Sequence, residues 1–394
     1  MSEPLSVGIV CFPTLGGSGI VASDLASGLS RRGHRIHVIA SAPPSRTLPV
    51  CDRLFVHEVP LASPPPLQHP PYALALASTL VDVTHEHGID LLHVHYAIPH
   101  AVSAYLARQV LGDAAPRLVT TLHGTDVTHL GGDPSYRSVT RFAVERSDAV
   151  TTPSAFLREA TYRTLGVSSD LPIHVVPNFV DTDHFAPASP RDRSRFDALF
   201  QSVKGDPGDR GAPVLFHVSS FRSVKRMTDL VEVLAAIRKR ARVRLLVVGD
   251  GPDRGRLVQR ARELHVSESL CLLGTHGEFA DDLRHADAFL LPSETESFGV
   301  AALEALSSGV PVLGYRVGGL PEVVTPEVGV LVEPYDLAAL AEATAAILFD
   351  EARREALGRA ARARALERFG REEGIDRYEA FYRRVLADGD GRRA

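Results

Sequence analysis

Two acids eight positions apart, Glu296 and Glu304, bracket the run Ser297-Phe298-Gly299-Val300-Ala301-Ala302-Leu303. The run lies between an apolar stretch ending at Leu291 and a helical pattern reaching Ser308. A strand-to-helix turn leaves N–H groups without intrahelical partners, so Ser297, Phe298 and Gly299 can offer theirs to an anion. Glu304, set among Ala301, Ala302, Leu303, Ala305 and Leu306, needs a partner for its carboxylate. A pair of sugar hydroxyls would serve. The same acids also fit a plainer arrangement, one favouring the helix dipole and the other closing a structural ion pair.

Three cations follow the apolar run Val214–Ser219 in Phe221-Arg222-Ser223-Val224-Lys225-Arg226. In a chain of net charge −5 they read either as a phosphate clamp or as a solvated loop. Two glycine clusters, Gly16-Gly17-Ser18-Gly19 and Gly249-Asp250-Gly251, open helical patterns, but neither completes G-x-G-x-x-G. They suit phosphate approach or close helix packing. His123, in Thr120-Thr121-Leu122-His123-Gly124-Thr125-Asp126, follows a strand pattern and heads a polar turn, either as a reacting group or as a local cap. Among 17 histidines, His85/His87 and His93/His95 form HxH pairs, with His100 nearby. Nothing in their spacing enforces tetrahedral geometry, so no metal site is expected. G-x-S-x-G, a Walker A lysine motif and H-E-x-x-H are all missing.

These segments need strands and helices to hold them. Short Val/Ile/Leu runs alternate with helical patterns, which indicates α/β architecture with parallel sheets. Strands are expected at Val7–Phe12, Arg35–Ala40, Leu91–His95, Leu118–Leu122, Ala149–Thr152 and Ile173–Val176. After a Pro/Gly/Arg-rich break around 186–213 the pattern restarts at Val214–Ser219, Val243–Val248, Leu270–Leu273, Ala288–Leu291 and Val310–Tyr315. The 394 residues therefore divide into two Rossmann-like domains facing a cleft, 1–185 and 186–372, with a helix at about 373–394 packing back on the first. Cys11, Cys51 and Cys271 have no C-x-x-C spacing, which excludes a zinc ribbon and a disulfide framework. Neither a basic excess, a signal peptide nor an apolar run long enough to span a membrane is visible. The expectation is a cytoplasmic protein with no nucleic-acid partner.

Together the motifs resemble the family-4 retaining glycosyltransferases of the GT-B fold. Glu296 to Glu304 matches their paired-acid element, and Arg222 with Lys225 matches their donor-phosphate pair, with Arg226 as a competitor for Lys225. The segments Cys11–Gly19, His95–Ala101, Thr120–Asp126, Arg141-Phe142-Ala143 and Ser220–Arg226 look like one subgroup, the N-acetylglucosaminyl-L-malate synthases of bacillithiol biosynthesis. That resemblance implies transfer of N-acetylglucosamine from UDP-GlcNAc to L-malate, without a metal or other cofactor. It implies front-face attack, the β-phosphate of UDP accepting the malate proton. It places His123, Glu296, Arg222 and Lys225 in catalysis, and Gly17, Gly249, Gly274, Phe298, Gly299 and Glu304 on the donor. Ser18, Tyr96, Thr121 and Arg141 fall on the acceptor. A homodimer is left open. Alternatives are a family-4 enzyme with another acceptor, such as an inositol phosphate, and a UDP-GlcNAc 2-epimerase.

Overall fold

The computed structural model describes residues 3–13, 16–43, 48–62, 69–202, 205–275 and 278–390. Thr14 and Leu15 of the first glycine segment lie outside them. Contacts divide the chain into two units, residues 1–178 with 371–394, and residues 179–370.

The first unit runs β1 (Ser6–Val10), α1 (Gly17–Arg31), β2 (Arg35–Ala40), β3 (Leu54–Glu58), α2 (Tyr72–His87), β4 (Leu91–His95), α3 (Val102–Leu111), β5 (Arg117–Thr121), α4 (Pro134–Glu145), β6 (Ala149–Thr152), α5 (Ala155–Leu165) and β7 (Ile173–Val175). The strands form one sheet in the order β3-β2-β1-β4-β5-β6-β7, with every pairing parallel. β1 and β4 are buried along their whole length, as strands covered by helices on both faces must be. Val21, Leu25 and Leu29, one helical face of α1, are buried against that sheet.

The second unit runs α6 (Arg195–Ser202), β8 (Val214–Val218), α7 (Met227–Arg238), β9 (Arg244–Val248), α8 (Arg254–Glu263), β10 (Leu270–Gly274), α9 (Ala280–Leu283), β11 (Ala288–Leu291), α10 (Val300–Ser307), β12 (Val312–Tyr315), α11 (Leu320–Val323), β13 (Gly329–Val332), α12 (Leu337–Leu348) and α13 (Glu351–Phe369). Its sheet has the order β10-β9-β8-β11-β12-β13, again parallel. The last helix, α14 (Arg371–Asp390), belongs to the first unit. Arg32 at the end of α1 binds Asp376 and Glu372 of α14 at 2.5 and 3.0 Å.

Three features depart from the sequence pattern. The charged break at 186–213 is part of the second unit: Phe196 and Phe200 are buried in its core. Arg193 is paired with the buried Asp287 and Arg244 with Asp197, so these charges hold the segment down. The division accordingly falls at 178/179, with Val180 and Phe185 already in the second core. The helical stretch 351–386 is two helices. It breaks at Gly370, where Val180 N–H donates to the Phe369 carbonyl at 2.9 Å and the chain leaves the second unit. Strands β3 and β13 had no signal, being short edge strands with half-exposed faces.

Candidate active site

Each sheet reverses its strand order once, between β1 and β4 and between β8 and β11. Chains leaving adjacent strands at such a point diverge to opposite faces and open a crevice at the carboxyl ends. The segments Cys11–Gly19, His95–Ala101, Phe221–Arg226 and Glu296–Glu304 follow those four strands, while the His123 turn follows the neighbouring β5 and Gly249 follows β9.

In the second unit the β8 and β11 segments are tied together. Glu294 N–H donates to the Val224 carbonyl at 2.8 Å, and Lys225 Nζ donates to Glu296 Oε1 at 2.6 Å. Glu296 is gripped from its other side by Gly319, whose N–H donates to the Glu296 carbonyl at 2.8 Å. Gly318 makes that approach possible: its φ is +56°, and a Cβ there would stand 1.9 Å from the same carbonyl oxygen. Arg226 turns elsewhere, binding Asp229 at 2.6 Å with its guanidinium 4.6 Å above the Tyr335 ring. Lys225 is thus the cation that faces Glu296, while Arg222 is exposed beside it.

α10 opens on Gly299 with no acidic residue in its first turn, so no carboxylate of that turn offsets its positive end. Phe298 is buried and packs edge-on against Phe369 at 5.8 Å. Only its backbone can meet a ligand. Glu304 lies buried on the same helix. Gly249 has φ +123°, and a Cβ there would stand 1.9 Å from the Ser219 carbonyl oxygen. Its N–H donates to the Gly274 carbonyl at 2.7 Å. Gly249 therefore lets the loops after β8 and β9 pack closely, whereas the Cβ position of Gly274 faces open space.

In the first unit Ser18 Oγ lies 3.1 Å from Tyr96 Oη, and the Tyr96 ring lies against His123 with centroids 5.0 Å apart. Behind them runs a chain of imidazoles. His123 Nε2 meets His95 Nδ1 at 2.8 Å, and His100 Nδ1 donates to the His95 carbonyl at 2.5 Å. His93 joins Tyr382 Oη of α14 and Thr121 Oγ1, both at 2.6 Å. Burial, with neighbouring imidazoles adding to it, lowers His93 and His123 to about 3. Burial also lowers His100 to about 4 and takes His95 well below the usual range. All four are neutral at pH 7, each ring nitrogen a donor or an acceptor without charge. The turn that presents His123 is held by Asp126, which accepts from the N–H groups of His123, Gly124 and Ala97. Burial raises Asp126 to about 6 against these bonds.

A model of the glycosyltransferase family 4 matches residues 15–184, and a model of the glycosyl transferases group 1 matches residues 204–364. The chain is 40% identical to the N-acetyl-alpha-D-glucosaminyl L-malate synthase of Bacillus anthracis over 98% of both chains. The chain belongs to the family-4 glycosyltransferases. The D-inositol 3-phosphate glycosyltransferase of Xylanimonas cellulosilytica is 32% identical over 91% of this glycosyltransferase and 89% of that protein. In fold, the sucrose-phosphate synthase of Thermosynechococcus elongatus superposes with a TM-score of 0.80 at 22% identity, covering 98% of this chain and all of that one. The architecture is GT-B.

Within this glycosyltransferase the expected residues sort unevenly. Lys225 and Glu296 form one group with the amino end of α10, and Ser18, Tyr96 and His123 form another. Thr121 stands beneath the second group with its hydroxyl turned inward, between His93 and Thr151 at 2.6 Å each. Arg141 is not brought to the group. It pairs with Glu145 on α4 at 2.8 Å, half-exposed. Its guanidinium lies 3.8 Å from the Cβ position of Gly166, the C-cap of α5. That cap leads into the amino end of β7, away from the strands' carboxyl ends. An exposed i,i+4 pair is worth only ~0.3–0.5 kcal/mol, so Arg141→Lys is expected to leave donor and acceptor KM values within about twofold. A rise in the acceptor KM alone would return Arg141 to the site. His217 escaped the sequence reading, and His95 and Asp126 lay within its segments but were given no role in the site. His217 bridges the Leu290 carbonyl and Ser219 Oγ, both at 2.7 Å, and lies beneath the Lys225–Glu296 pair. A histidine inside an apolar run carries no mark of function until its neighbours are known.

Proposed function

We propose that this glycosyltransferase transfers N-acetylglucosamine from UDP-GlcNAc to the hydroxyl of L-malate, releasing UDP. The observation that carries the reading is the 40% identity, over nearly the full length of both chains, to a protein named for that synthesis.

In this reading the donor diphosphate sits against Lys225, Arg222 and the amino end of α10. The bond from the anomeric carbon to the UDP oxygen breaks, a bond to the malate hydroxyl oxygen forms, and the hydroxyl proton passes to a β-phosphate oxygen. Charge develops on the departing diphosphate, and fixed cations and N–H dipoles stabilise it without reorganising. Glu304 accepts from the ribose hydroxyls, and the neutral His123 imidazole takes a sugar hydroxyl. On the acceptor side, the amino end of α1 has no acidic residue in its first turn. It offers a carboxylate of malate its N–H groups, with Ser18 and Tyr96 beside it. Enzyme and both substrates share the cytoplasm.

The test is incubation with UDP-GlcNAc and a panel of L-malate, D-malate, inositol phosphate and no acceptor, with products read by mass spectrometry. A GlcNAc-malate product and UDP release that depend on L-malate are expected. An inositol-phosphate conjugate would instead align the chain with the Xylanimonas relative, and acceptor-independent conversion of the donor would indicate an epimerase. The turnover should persist in excess EDTA, since Lys225, Arg222 and helix N–H groups occupy the role a cation would have. Loss in EDTA with recovery on adding Mg²⁺ would overturn that part.

A further inference from the structure

His37, His57 and His87 have no part in the transfer chemistry, yet the fold gathers them from three elements. In the parallel pairing of β2 with β3, His37 stands opposite Phe55 and Ile39 opposite His57. Side chains two positions apart share a sheet face, so both imidazoles emerge on one side. His87, the last residue of α2, closes over them. One ligand nitrogen from each ring lies within 4.8 Å of the other two. His37 Nδ1 and His57 Nε2 face each other at 2.9 Å. Phe55 stacks on His37 at 4.9 Å and 18°, forming the floor.

We propose that these three histidines are a binding site for a first-row divalent transition metal, with Zn²⁺ as the ion of choice. Zn–N bonds of about 2.0–2.1 Å in tetrahedral geometry separate ligand nitrogens by ~3.4 Å. The His37–His57 pair, at 2.9 Å, is already near that spacing, and a His87 nitrogen lies within 4.8 Å of both. His87 is stacked on His37 at 4.5 Å and must swing so that its ring plane contains the ion. It is partly exposed and followed by Gly88 in the left-handed conformation, so the end of the helix leaves it room to turn. Stacking alone explains the parallel rings but not why two imidazole nitrogens face each other at 2.9 Å. In a metal-bound cluster each ring binds through its lone pair and carries its single proton on the other nitrogen, so the facing pair no longer shares one proton. The charges nearby are mixed: Arg35 opposes a cation, while Glu86, 3.9 Å from His87 Nε2, favours one and can orient that ring. His57 and His87 are partly exposed, which leaves a fourth position for water. Such an ion would clip the edge strand β3 and the end of α2 to β2, a stabilising role separate from sugar transfer.

The test uses the full chain without a histidine tag, stripped with EDTA and desalted. Titration with Zn²⁺ by calorimetry should show one tight equivalent, and Co²⁺ should give the strong visible bands of a four-coordinate ion. His87→Gln, at the partly exposed helix end, and His57→Gln should each weaken that equivalent about 100-fold or more and abolish the bands. Circular dichroism of the metal-free variants checks that they fold. At a hundredfold excess over its Kd, Zn²⁺ should raise the Tm of the wild-type chain by about 5–10 °C and leave the His87→Gln chain unchanged. GlcNAc transfer in EDTA should be unaffected. No tight equivalent, or one that persists in both variants and so resides on other histidines, would overturn the proposal.

Discussion

Lys225→Ala is expected to lower kcat/KM about 10²–10³-fold, the usual consequence of removing one fixed group that stabilises developing charge. The magnitude follows from its surroundings. Lys225 Nζ is 2.6 Å from Glu296, and only 21% and 11% of the two side chains are exposed. Truncation would both remove the cation from the proposed diphosphate position and leave an unbalanced carboxylate there to repel the donor. Lys225→Arg keeps the charge and should recover part of the rate. Arg226→Ala is the control. Its partner Asp229 also accepts from Tyr315 at 2.8 Å, so that variant should lose stability while kcat/KM changes by no more than a few-fold. Steady-state kinetics on the three variants decide the matter. Equal losses at 225 and 226 would trace the effect to folding of the loop and remove Lys225 from the reaction.

Acid should unfold the first unit well before the second in metal-free buffer. His93, His95, His100 and His123 of the first unit all have their pKa values lowered by burial. In the second unit burial lowers His217 to about 4. In the unfolded chain each titrates near 6.5. Their neutral forms therefore contribute full stability above about pH 6.5, and that contribution is lost as pH falls from there toward 3–4, because the unfolded state binds protons the folded state refuses. Asp126 works the other way. Raised from 3.8 to about 6, it takes up its proton first in the folded state and adds stability as pH falls between those values. Each fully buried histidine costs on the order of 1 kcal/mol per pH unit below 6.5, and one carboxyl cannot offset several of them. Thermal melts at pH 7.5, 6 and 5 should resolve two transitions, the lower one falling steeply and belonging to the unit that holds Tyr382 and His93. A first-unit transition that is flat over this range would mean that these imidazoles are solvated.

Much of the donor-side group was legible because it is local. Lys225 and Arg222 lie in one segment and Glu296, Gly299 and Glu304 in another. Each follows an apolar run whose length and boundaries announce a strand end. The acceptor side was harder to read. Thr121 and Arg141 were drawn in by their resemblance to a family pattern, and neither position betrays which way a side chain turns. Thr121 is the last residue of β5, where the alternation of faces directs its hydroxyl down to His93. Arg141 had a partner four residues ahead, Glu145, and the helix joined them.

By itself the sequence determined the two α/β units, the positions of most central strands, and the segments that could carry phosphate and sugar chemistry, because hydrophobic period and strand-end composition are short-range properties. Only the tertiary structure decided which charges are free for function. Arg226 and Lys225 are neighbours in sequence, yet one is bound to Asp229 and the other faces Glu296, 71 residues away. The histidines make the same point. His93, His95, His100 and His123 come from three segments and meet with Tyr382, 289 residues beyond His93. The pairs His85/His87 and His93/His95 were visible as spacing, but His87 finds its companions in His37 and His57 of two other elements. A side chain's ionisation and partners depend on what the fold buries beside it, and burial of that kind arises from contacts far apart along the chain.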